Sequence, residues 1–224
     1  MLSAVCLFLA AQTTPKNLEE LAERSRAAYA SLKGYRDEWA LTADDERPVW
    51  LVRRRLDGAR HWSEMGLVGK VGGIDVSDGK TDYWLDFQAK TYSAGPHKVR
   101  RALPRSRPKP GTCTFGIDET GYSFASDPPI PIASIHFDSF RGQTVRHVLG
   151  RLITNSGTEQ VDFLFWPDSW ILVDATITTT HGDGPKHVVH WITKSVEKNV
   201  KFGPKDFALD PSLIKGLTRL PEGR

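Results

Sequence analysis

The sequence of 224 residues predicts a mainly β fold with some α structure. We expect a mainly β fold with a curved antiparallel sheet of about ten strands, packed on one N-terminal helix. Two observations predict it. The apolar spacing is close to 3.6 over residues 15–32 and changes to 2 after Gly34. Alternating runs then recur at short intervals, with turn residues between them.

Composition indicates one globular domain over residues 12–224. The chain is 39% hydrophobic and 25% charged, which is typical of a folded chain rather than a disordered one. Its net charge of +3 is mildly basic and does not by itself indicate a nucleic-acid partner. Two cysteines are too few for a disulfide scaffold or a four-thiolate zinc site.

The amino terminus resembles an export signal. Residues 2–11 form an uncharged apolar run that ends in small residues. This is about half of the roughly 20 residues that a membrane-spanning helix needs, but it is long enough for the apolar part of a signal peptide. We therefore expect a cleaved signal peptide over residues 1–11 and a periplasmic or otherwise extracytoplasmic protein.

The first structured element is predicted to be a helix over residues 15–32. Thr14-Pro15 is a favourable helix start, because proline at the first helical position needs no N–H partner. Glu19 and Glu20 favour the positive end of the helix dipole, and Gly34 fits the stop position. The apolar positions form one stripe: Leu18, Leu21, Ala22, Ala28, Tyr29 and Leu32.

Two groups of strands are predicted after the helix. Asp57-Gly58 and Asp78-Gly79 are tight-turn signals within the first group. The first group covers 35–43, 48–56, 59–65, 73–77, 81–87 and 90–93. The second covers 144–154, 159–166, 170–179 and 186–194.

A basic, proline-rich insertion at 96–131 separates the two groups. It holds seven of the 14 prolines, and residues 98–109 hold six Lys or Arg and no acid. We expect a long loop outside the sheet, with a short helix near 97–103 or 132–140. The tail at 207–220 is expected to close over one end of the barrel.

Catalytic and metal signatures are weak. Residues 121–125 (GYSFA) lack the second glycine of a nucleophile elbow. The histidine cluster of His181, His187 and His190 with Asp183 does not converge, because His187 and His190 have opposite parity on a strand. We predict no catalytic residue, no metal site and no cofactor, and keep a hydrolase with an Asp pair as an alternative.

Large apolar side chains are concentrated on the predicted strands. All seven Trp lie in or beside them, and alternation makes one face of the sheet strongly apolar. Such a face forms either a filled core or a ligand cavity. The predicted ligand-contacting residues are Trp39, Trp50, Val52, Trp62, Leu85, Phe163, Phe165 and Val173.

Basic residues are candidates for the lid and for headgroup contact. We assign Arg54, Arg100 and Arg101 to this role, since a basic residue near an anionic membrane surface contributes about 1 kcal/mol. The basic loop lacks the interleaved aromatic residues of a single-strand binder, and export would remove nucleic acid as a partner.

The order of the predicted elements is distinctive. With it come three local features: the Val76–Thr81 turn (VSDGKT), the Trp84 that follows this turn, and the segment 163–168 (FLFWPD). Together they resemble the outer-membrane lipoprotein carrier superfamily. That superfamily includes the LolA and LolB carriers and the RseB-type sensor domain. The resemblance implies a curved antiparallel half-barrel sheet that is not closed, with a helical or loop lid over a concave apolar face that holds acyl chains.

Two features depart from the carriers. Trp84-Leu85-Asp86 replaces their aromatic–Tyr–Asp or aromatic–Tyr–Asn pattern. The carriers' lid arginine is followed by a proline, whereas no proline follows Arg53 or Arg54 here.

The predicted function is that of an exported, non-enzymatic protein that binds an acyl chain, a lipoprotein or another hydrophobic ligand on this face. Its partners would be lipid or lipoprotein acyl chains, with a membrane surface or an envelope protein as a further contact. The alternative is an envelope-stress sensor or partner-binding module of RseB type, which would contact its partner through the 98–109 loop or a sheet edge.

Overall fold

The computed structural model describes residues 14–44, 47–97, 112–118, 121–154 and 157–221. Over these ranges the elements are the helix α1 (Leu18–Ala30) and the strands β1 (Tyr35–Ala43), β2 (Pro48–Asp57), β3 (Arg60–Leu67), β4 (Lys70–Ser77), β5 (Thr81–Asp86), β6 (Thr91–Pro96), β7 (Thr112–Asp118), β8 (Gly121–Asp127), β9 (Ile132–Phe140), β10 (Gln143–Thr154), β11 (Gly157–Phe165), β12 (Leu172–His181), β13 (Lys186–Lys198) and β14 (Thr218–Arg219). Two 3₁₀ helices, Pro204–Phe207 and Pro211–Ile214, precede β14.

One large open sheet dominates the structure. Twelve strands of the described chain form it, in the order β14-β6-β5-β4-β3-β2-β1-β13-β12-β11-β10-β9. Neighbouring strands are antiparallel apart from β14, which lies parallel to β6. The sheet is curved and does not close into a barrel. Arg141, at the β9–β10 turn, donates a hydrogen bond to the carbonyl oxygen of Thr193 on β13 at 2.9 Å. The predicted curved antiparallel sheet with few helices is confirmed.

Three parts of the sequence form strands that were not predicted: residues 132–140, the hairpin within the insertion and the short β14 in the tail. Residues 132–140, one of two places expected for a short helix, form β9, and β9 pairs with β10 along its length. Five of these nine residues are apolar, but they do not alternate regularly, so pairing with β10 decides the conformation. Most of the other expected helix, at 97–103, lies outside the described residues, as do the signal peptide at 1–11, Arg100 and Arg101.

The helix α1 is shorter than predicted because Asn17, not Thr14, caps it. The Asn17 side chain accepts from the backbone N–H of Glu20 at 2.9 Å. The helix ends at Ala30, and Gly34 then has φ +120°, where a Cβ would lie 2.0 Å from the carbonyl oxygen of Val200. The buried side of the helix is Leu18, Leu21, Ala22, Ser25 and Tyr29.

We call the sheet face that packs on α1 the inner face and the opposite one the outer face. Cross-strand partners share a face, so the register assigns each residue. Trp39 pairs with Val52, and Phe163 pairs with Val148 and Ala175. All of these join Leu18, Leu21 and Ala22 of α1 in one buried cluster on the inner face.

The proline-rich insertion was predicted to lie outside the sheet, but part of it packs on the sheet's inner face. Its strands β7 and β8 form a separate hairpin. Phe124 of this hairpin is buried with its ring 6.0 Å from that of Phe163, and the Phe115 ring lies 5.5 Å from the same ring. The hairpin therefore fills part of the inner face with aromatic side chains, a long-range contact that the local composition did not indicate.

The outer face has its own core over β4 and β5. Ile74, Val76 and Leu85 are buried there, and Trp62 packs against them. The tail covers this cluster with Leu209, Leu213, Ile214 and Leu217. The tail therefore packs on a sheet face rather than on the end of a barrel, which corrects the prediction.

No helix in the described part of the chain is both long enough and apolar enough to cross a bilayer.

Candidate functional site

Four of the predicted ligand-contacting residues lie in the filled core of the inner face. Trp39, Phe163 and Phe165 are fully buried, and Val52 is 5% exposed. Their neighbours are α1 and the β7–β8 hairpin. They lie on the predicted face, but protein side chains occupy the space beside them.

The other predicted contacts are divided among different environments. Trp62 and Leu85 belong to the outer-face core, which corrects the prediction that they share a hollow with Trp39. The pairing of β2 with β3, together with alternation along each strand, places the two sets on opposite faces. Val173 is buried next to an irregularity in the β11–β12 pairing, and Trp50 is 39% exposed on the inner face.

Arg54 is not a lid residue, because it forms a buried ion pair with Asp37. Its Nε donates to Asp37 Oδ1 at 3.0 Å, and its Nη2 donates to Oδ2 of the same carboxylate. Asp37 also accepts from the Tyr35 hydroxyl at 2.7 Å and from the Trp39 indole N–H at 2.6 Å. The side chain of Arg54 is fully buried, so it cannot reach a headgroup at the surface.

Burial and the neighbouring charges shift the pKa values of Arg54 and Tyr35. Burial favours a lower pKa for Arg54, but the Asp37 carboxylate outweighs it and holds the pKa of Arg54 above its usual value. Burial, together with the charge of Asp37, raises the pKa of Tyr35 well above its ordinary value. Tyr35 therefore stays neutral and Arg54 stays charged at neutral pH, which fits a structural role for this ion pair.

Polar residues continue the inner face beyond this network. Ser63, Asp75 and Ser77 are buried there, and His61 Nε2 lies 3.2 Å from Asp75 Oδ1. The inner face is therefore apolar under α1 and polar over β3 and β4, and the apolar set deduced from alternation covers only its first half.

A serine, a histidine and an aspartate meet at the end of this polar strip. His97 Nδ1 lies 3.1 Å from Ser77 Oγ and 2.7 Å from Asp82 Oδ1. A hydrolytic triad needs the two ring nitrogens for two different partners. Because one nitrogen faces both residues here, this arrangement does not activate the serine.

An open pocket of about 630 Å³ lies on the inner face beside the edge strand β9. We call it the edge pocket. Its size is within the usual range of small-molecule sites, about 300 to 1,000 Å³. Its lining is Thr14, Pro15, Lys16, Arg24, Ile132, Ala133, Ser134, Ile135, Arg146 and Trp170.

The positions of the lining residues follow from the local fold. Arg24 lies on α1, and Arg146 lies on β10 opposite Phe165, with which it shares the inner face. Trp170 follows a turn in which Ser169 N–H donates to the carbonyl oxygen of Trp166 at 3.2 Å. The Trp170 ring packs edge-on against Phe165 at 5.5 Å. The edge pocket thus adjoins the inner-face core.

Two guanidinium groups share one aromatic ring in the edge pocket. Arg146 lies 4.0 Å from the ring centre of Trp170, and Arg24 lies 5.9 Å from it. Burial lowers the pKa of Arg146; Asp168 raises it, and the neighbouring charge of Arg24 lowers it further. The attraction of Asp168 for Arg146 exceeds the repulsion from Arg24, so the two guanidinium groups can both lie beside the Trp170 ring.

One side of the edge pocket is suited to an apolar group. Ile132, Ala133, Ile135 and the buried Trp170 line it beside the two arginines. Sequence reasoning placed Trp170, Arg146 and Arg24 on predicted elements but did not bring them together. They are far apart in sequence, so only the packing of α1 on β10 joins them.

The histidine cluster considered from the sequence does not form a metal site. His187 Nδ1 lies 3.3 Å from Asp44 Oδ2, and His190 Nε2 lies 2.7 Å from Asp174 Oδ1. Among the described residues, the group whose ligand atoms do converge is His136, Asp138 and His147, on the outer face.

No protein-family model matches the sequence, and none of the curated proteins is similar to it. Several solved structures are similar to this chain, among them two that match over most of its length. An uncharacterized conserved protein from Thermus thermophilus has a TM-score of 0.46 and 8% identity, over 91% of this chain and 98% of that chain. A LolA superfamily protein from Nitrosomonas europaea has a TM-score of 0.32 and 8% identity, over 87% of this chain and 99% of that chain.

Proposed function

We propose that the protein binds an anionic amphiphile in the edge pocket without transforming it. The ligand would be an acyl chain with a carboxylate or phosphate headgroup. The observation that carries the proposal is the pairing of Arg24 and Arg146 around Trp170, next to the apolar walls of the same pocket.

The headgroup would lie between the two guanidinium groups. Arginine is the preferred partner of carboxylates and phosphates, because its planar fork can donate two parallel hydrogen bonds. Arg146 Nη2 already donates to the carbonyl oxygen of Pro167 at 2.8 Å, which holds its guanidinium at the pocket. Partial burial strengthens the attraction for an anion, since the local dielectric is lower than in water.

The acyl chain would lie along Ile132, Ile135 and the Trp170 ring. Each buried methylene contributes about 0.8 kcal/mol, so a short stretch of chain is enough for useful affinity. Phe137 and Arg146 are cross-strand partners beside this path, and the Arg146 guanidinium is 5.9 Å from the Phe137 ring. Phe137 is 65% exposed and extends the apolar path toward solvent.

This proposal keeps the predicted class of ligand and moves its site. Phe163 and Phe165 are fully buried, so in this proposal they support the edge pocket from the core and do not contact the ligand. Export from the cytoplasm, based on the apolar run at 2–11, stays a prediction and is consistent with a lipid-binding role in the envelope.

The test is binding of a fluorescent long-chain fatty acid, followed by anisotropy. We expect the wild-type protein to bind it, and Arg146→Gln to weaken binding about 10- to 100-fold, because a hydrogen bond to a charged group contributes about 1.5 to 3 kcal/mol. Arg151→Gln is the matched control: Arg151 is exposed on the same strand, and alternation places it on the outer face. A long-chain alcohol should bind both variants alike.

Vesicles separate the two sources of the headgroup. Binding to vesicles that contain phosphatidylglycerol, but not to monomeric fatty acid, would assign the pocket to membrane lipids, and the reverse would assign it to free fatty acids. The proposal is wrong if the wild-type protein binds neither, or if Arg151→Gln loses as much affinity as Arg146→Gln.

A further inference from the structure

A second cluster of polar side chains lies on the outer face, where three adjacent strands bring two histidines and two aspartates together. His136 and His147 are direct cross-strand partners on β9 and β10, with ring centres 4.7 Å apart. Asp138 is two residues from His136 on the same strand and therefore shares its face. The ligand atoms of His136, Asp138 and His147 all lie within 4.8 Å of one another.

The orientation of His147 is fixed from one side. Its Nε2 lies 2.9 Å from Asp162 Oδ1 on β11, and the other carboxylate oxygen of Asp162 accepts from Gln160 Nε2 at 3.0 Å. A carboxylate acceptor at Nε2 favours the tautomer with the proton on that nitrogen. The lone pair of His147 then lies on Nδ1.

His147 Nδ1 is buried, and no donor or acceptor in the described part of the chain is within hydrogen-bond distance of it. Asp138 Oδ2 lies 3.8 Å from this nitrogen. A buried ring nitrogen without a partner is costly, and a metal ion would satisfy it. A carboxylate bound to the far nitrogen is also the usual support of a metal-ligating histidine.

We propose that this cluster binds a divalent transition-metal ion, with Zn²⁺ as the best fit. The ligands would be Nδ1 of His147, a ring nitrogen of His136 and the carboxylate of Asp138, and Asp162 is a positioning residue. Imidazole and carboxylate ligands at about 2.0 to 2.2 Å suit Zn²⁺, whereas Mg²⁺ and Ca²⁺ prefer oxygen ligands alone. His136 and Asp138 are exposed and can rotate to complete the geometry.

The other histidine–aspartate pair of this face lacks the third group. His190 and Asp174 are 2.7 Å apart, but the metal-capable groups found among the described residues do not include them. His190 therefore provides a matched control on the same face. The site also ties the edge strand β9 to β10, so a bound ion would stabilise the end of the sheet.

The experiment is calorimetric titration of tag-free, full-length protein with ZnCl₂ and, separately, MgCl₂. We expect one Zn²⁺ per chain and no heat from Mg²⁺. His136→Ala, His147→Ala and Asp138→Asn should each weaken Zn²⁺ binding at least about tenfold, and Asp162→Asn should weaken it about 10- to 100-fold. His190→Ala should leave the affinity unchanged.

Circular dichroism of each variant separates a lost ligand from a lost fold, and the exposed Asp138→Asn keeps the test valid if a histidine variant does not fold. The proposal is overturned if the wild-type protein does not bind Zn²⁺, or if the three ligand variants bind it as the wild type does. It is also overturned if Cys113→Ser abolishes binding, since the ion would then belong to the thiol.

Discussion

The inner face contains two regions built from similar side chains with different outcomes. Under α1, Phe163 and Phe165 are fully buried among helix and hairpin side chains. At β9 the same face ends in an open pocket. There the Trp170 ring packs on Phe165, and two arginines lie beside the Trp170 ring. Apolar alternation identifies the face, but what packs on that face decides whether it is core or site.

The largest expected effect is at the filled region. Phe163→Ala should cost about 3 to 5 kcal/mol of unfolding free energy, because its ring is surrounded by Phe115, Phe124 and Phe165 and the vacated space cannot fully collapse. Urea denaturation measures it. Fatty-acid affinity should change little in the folded variant. A small loss of stability combined with a large loss of binding would instead make the filled region the ligand site.

A smaller effect is expected where the helix approaches the sheet. A Cβ at Gly150 would lie 2.8 Å from a methyl group of Val161 and 3.1 Å from one of Leu18. Gly150→Ala should therefore cost about 1 to 3 kcal/mol through overpacking, measured by the same denaturation experiment.

The control for this substitution is Gly95→Ala, since nothing lies within 4 Å of a Cβ there. It should be neutral or stabilising by up to about 1 kcal/mol. Equal losses at Gly150 and Gly95 would mean that α1 does not pack closely on the sheet.

The buried network gives a pH-dependent effect. Burial, then the charge of Asp37, raises the pKa of Tyr35 in the folded protein above the unfolded value of about 10. The folded state then keeps a proton that the unfolded chain releases, so this stability is present below pH about 10 and is lost as the pH rises further. In urea denaturation at increasing pH, Tyr35→Phe should show a flatter decline than the wild type.

Tyr92→Phe serves as the control for the pH series, since Tyr92 is half-buried on the other face, against the outer-face cluster. It should follow the wild-type curve. A Tyr35→Phe curve as steep as that of the wild type would show that Tyr35 does not contribute to the decline.

Local sequence patterns predicted most strands of the sheet but not the segments that pack on its faces. The turns at Gly58 and Gly79 have the expected positive φ angles, +62° and +87°. The apolar spacing changes from 3.6 to 2 after Gly34, and β1 begins at Tyr35. Residues 132–140 and the hairpin of the insertion were not predicted correctly, because pairing and packing with distant segments decide their structure.

The candidate sites were harder to predict for the same reason. Arg24 and Arg146 are joined by the packing of α1, and His136 and His147 by the β9–β10 register. Isolated basic residues and histidines have no local pattern that marks them. The basic stretch at 98–109 was therefore the more visible feature in the sequence.

The smallest effect on stability is expected at the edge pocket itself. Arg146→Gln removes a cation–π contact with Trp170, a hydrogen bond to Pro167 and the attraction of Asp168, and the lost repulsion from Arg24 offsets part of this. Since a partly exposed cation–π contact contributes about 0.5 to 1 kcal/mol, the net cost should be about 1 kcal/mol or less. Thermal and urea unfolding without ligand measure it, and the same variant should lose most of its fatty-acid affinity. A cost as large as that of Phe163→Ala would make Arg146 a structural residue, and the contrast between core and pocket would not hold.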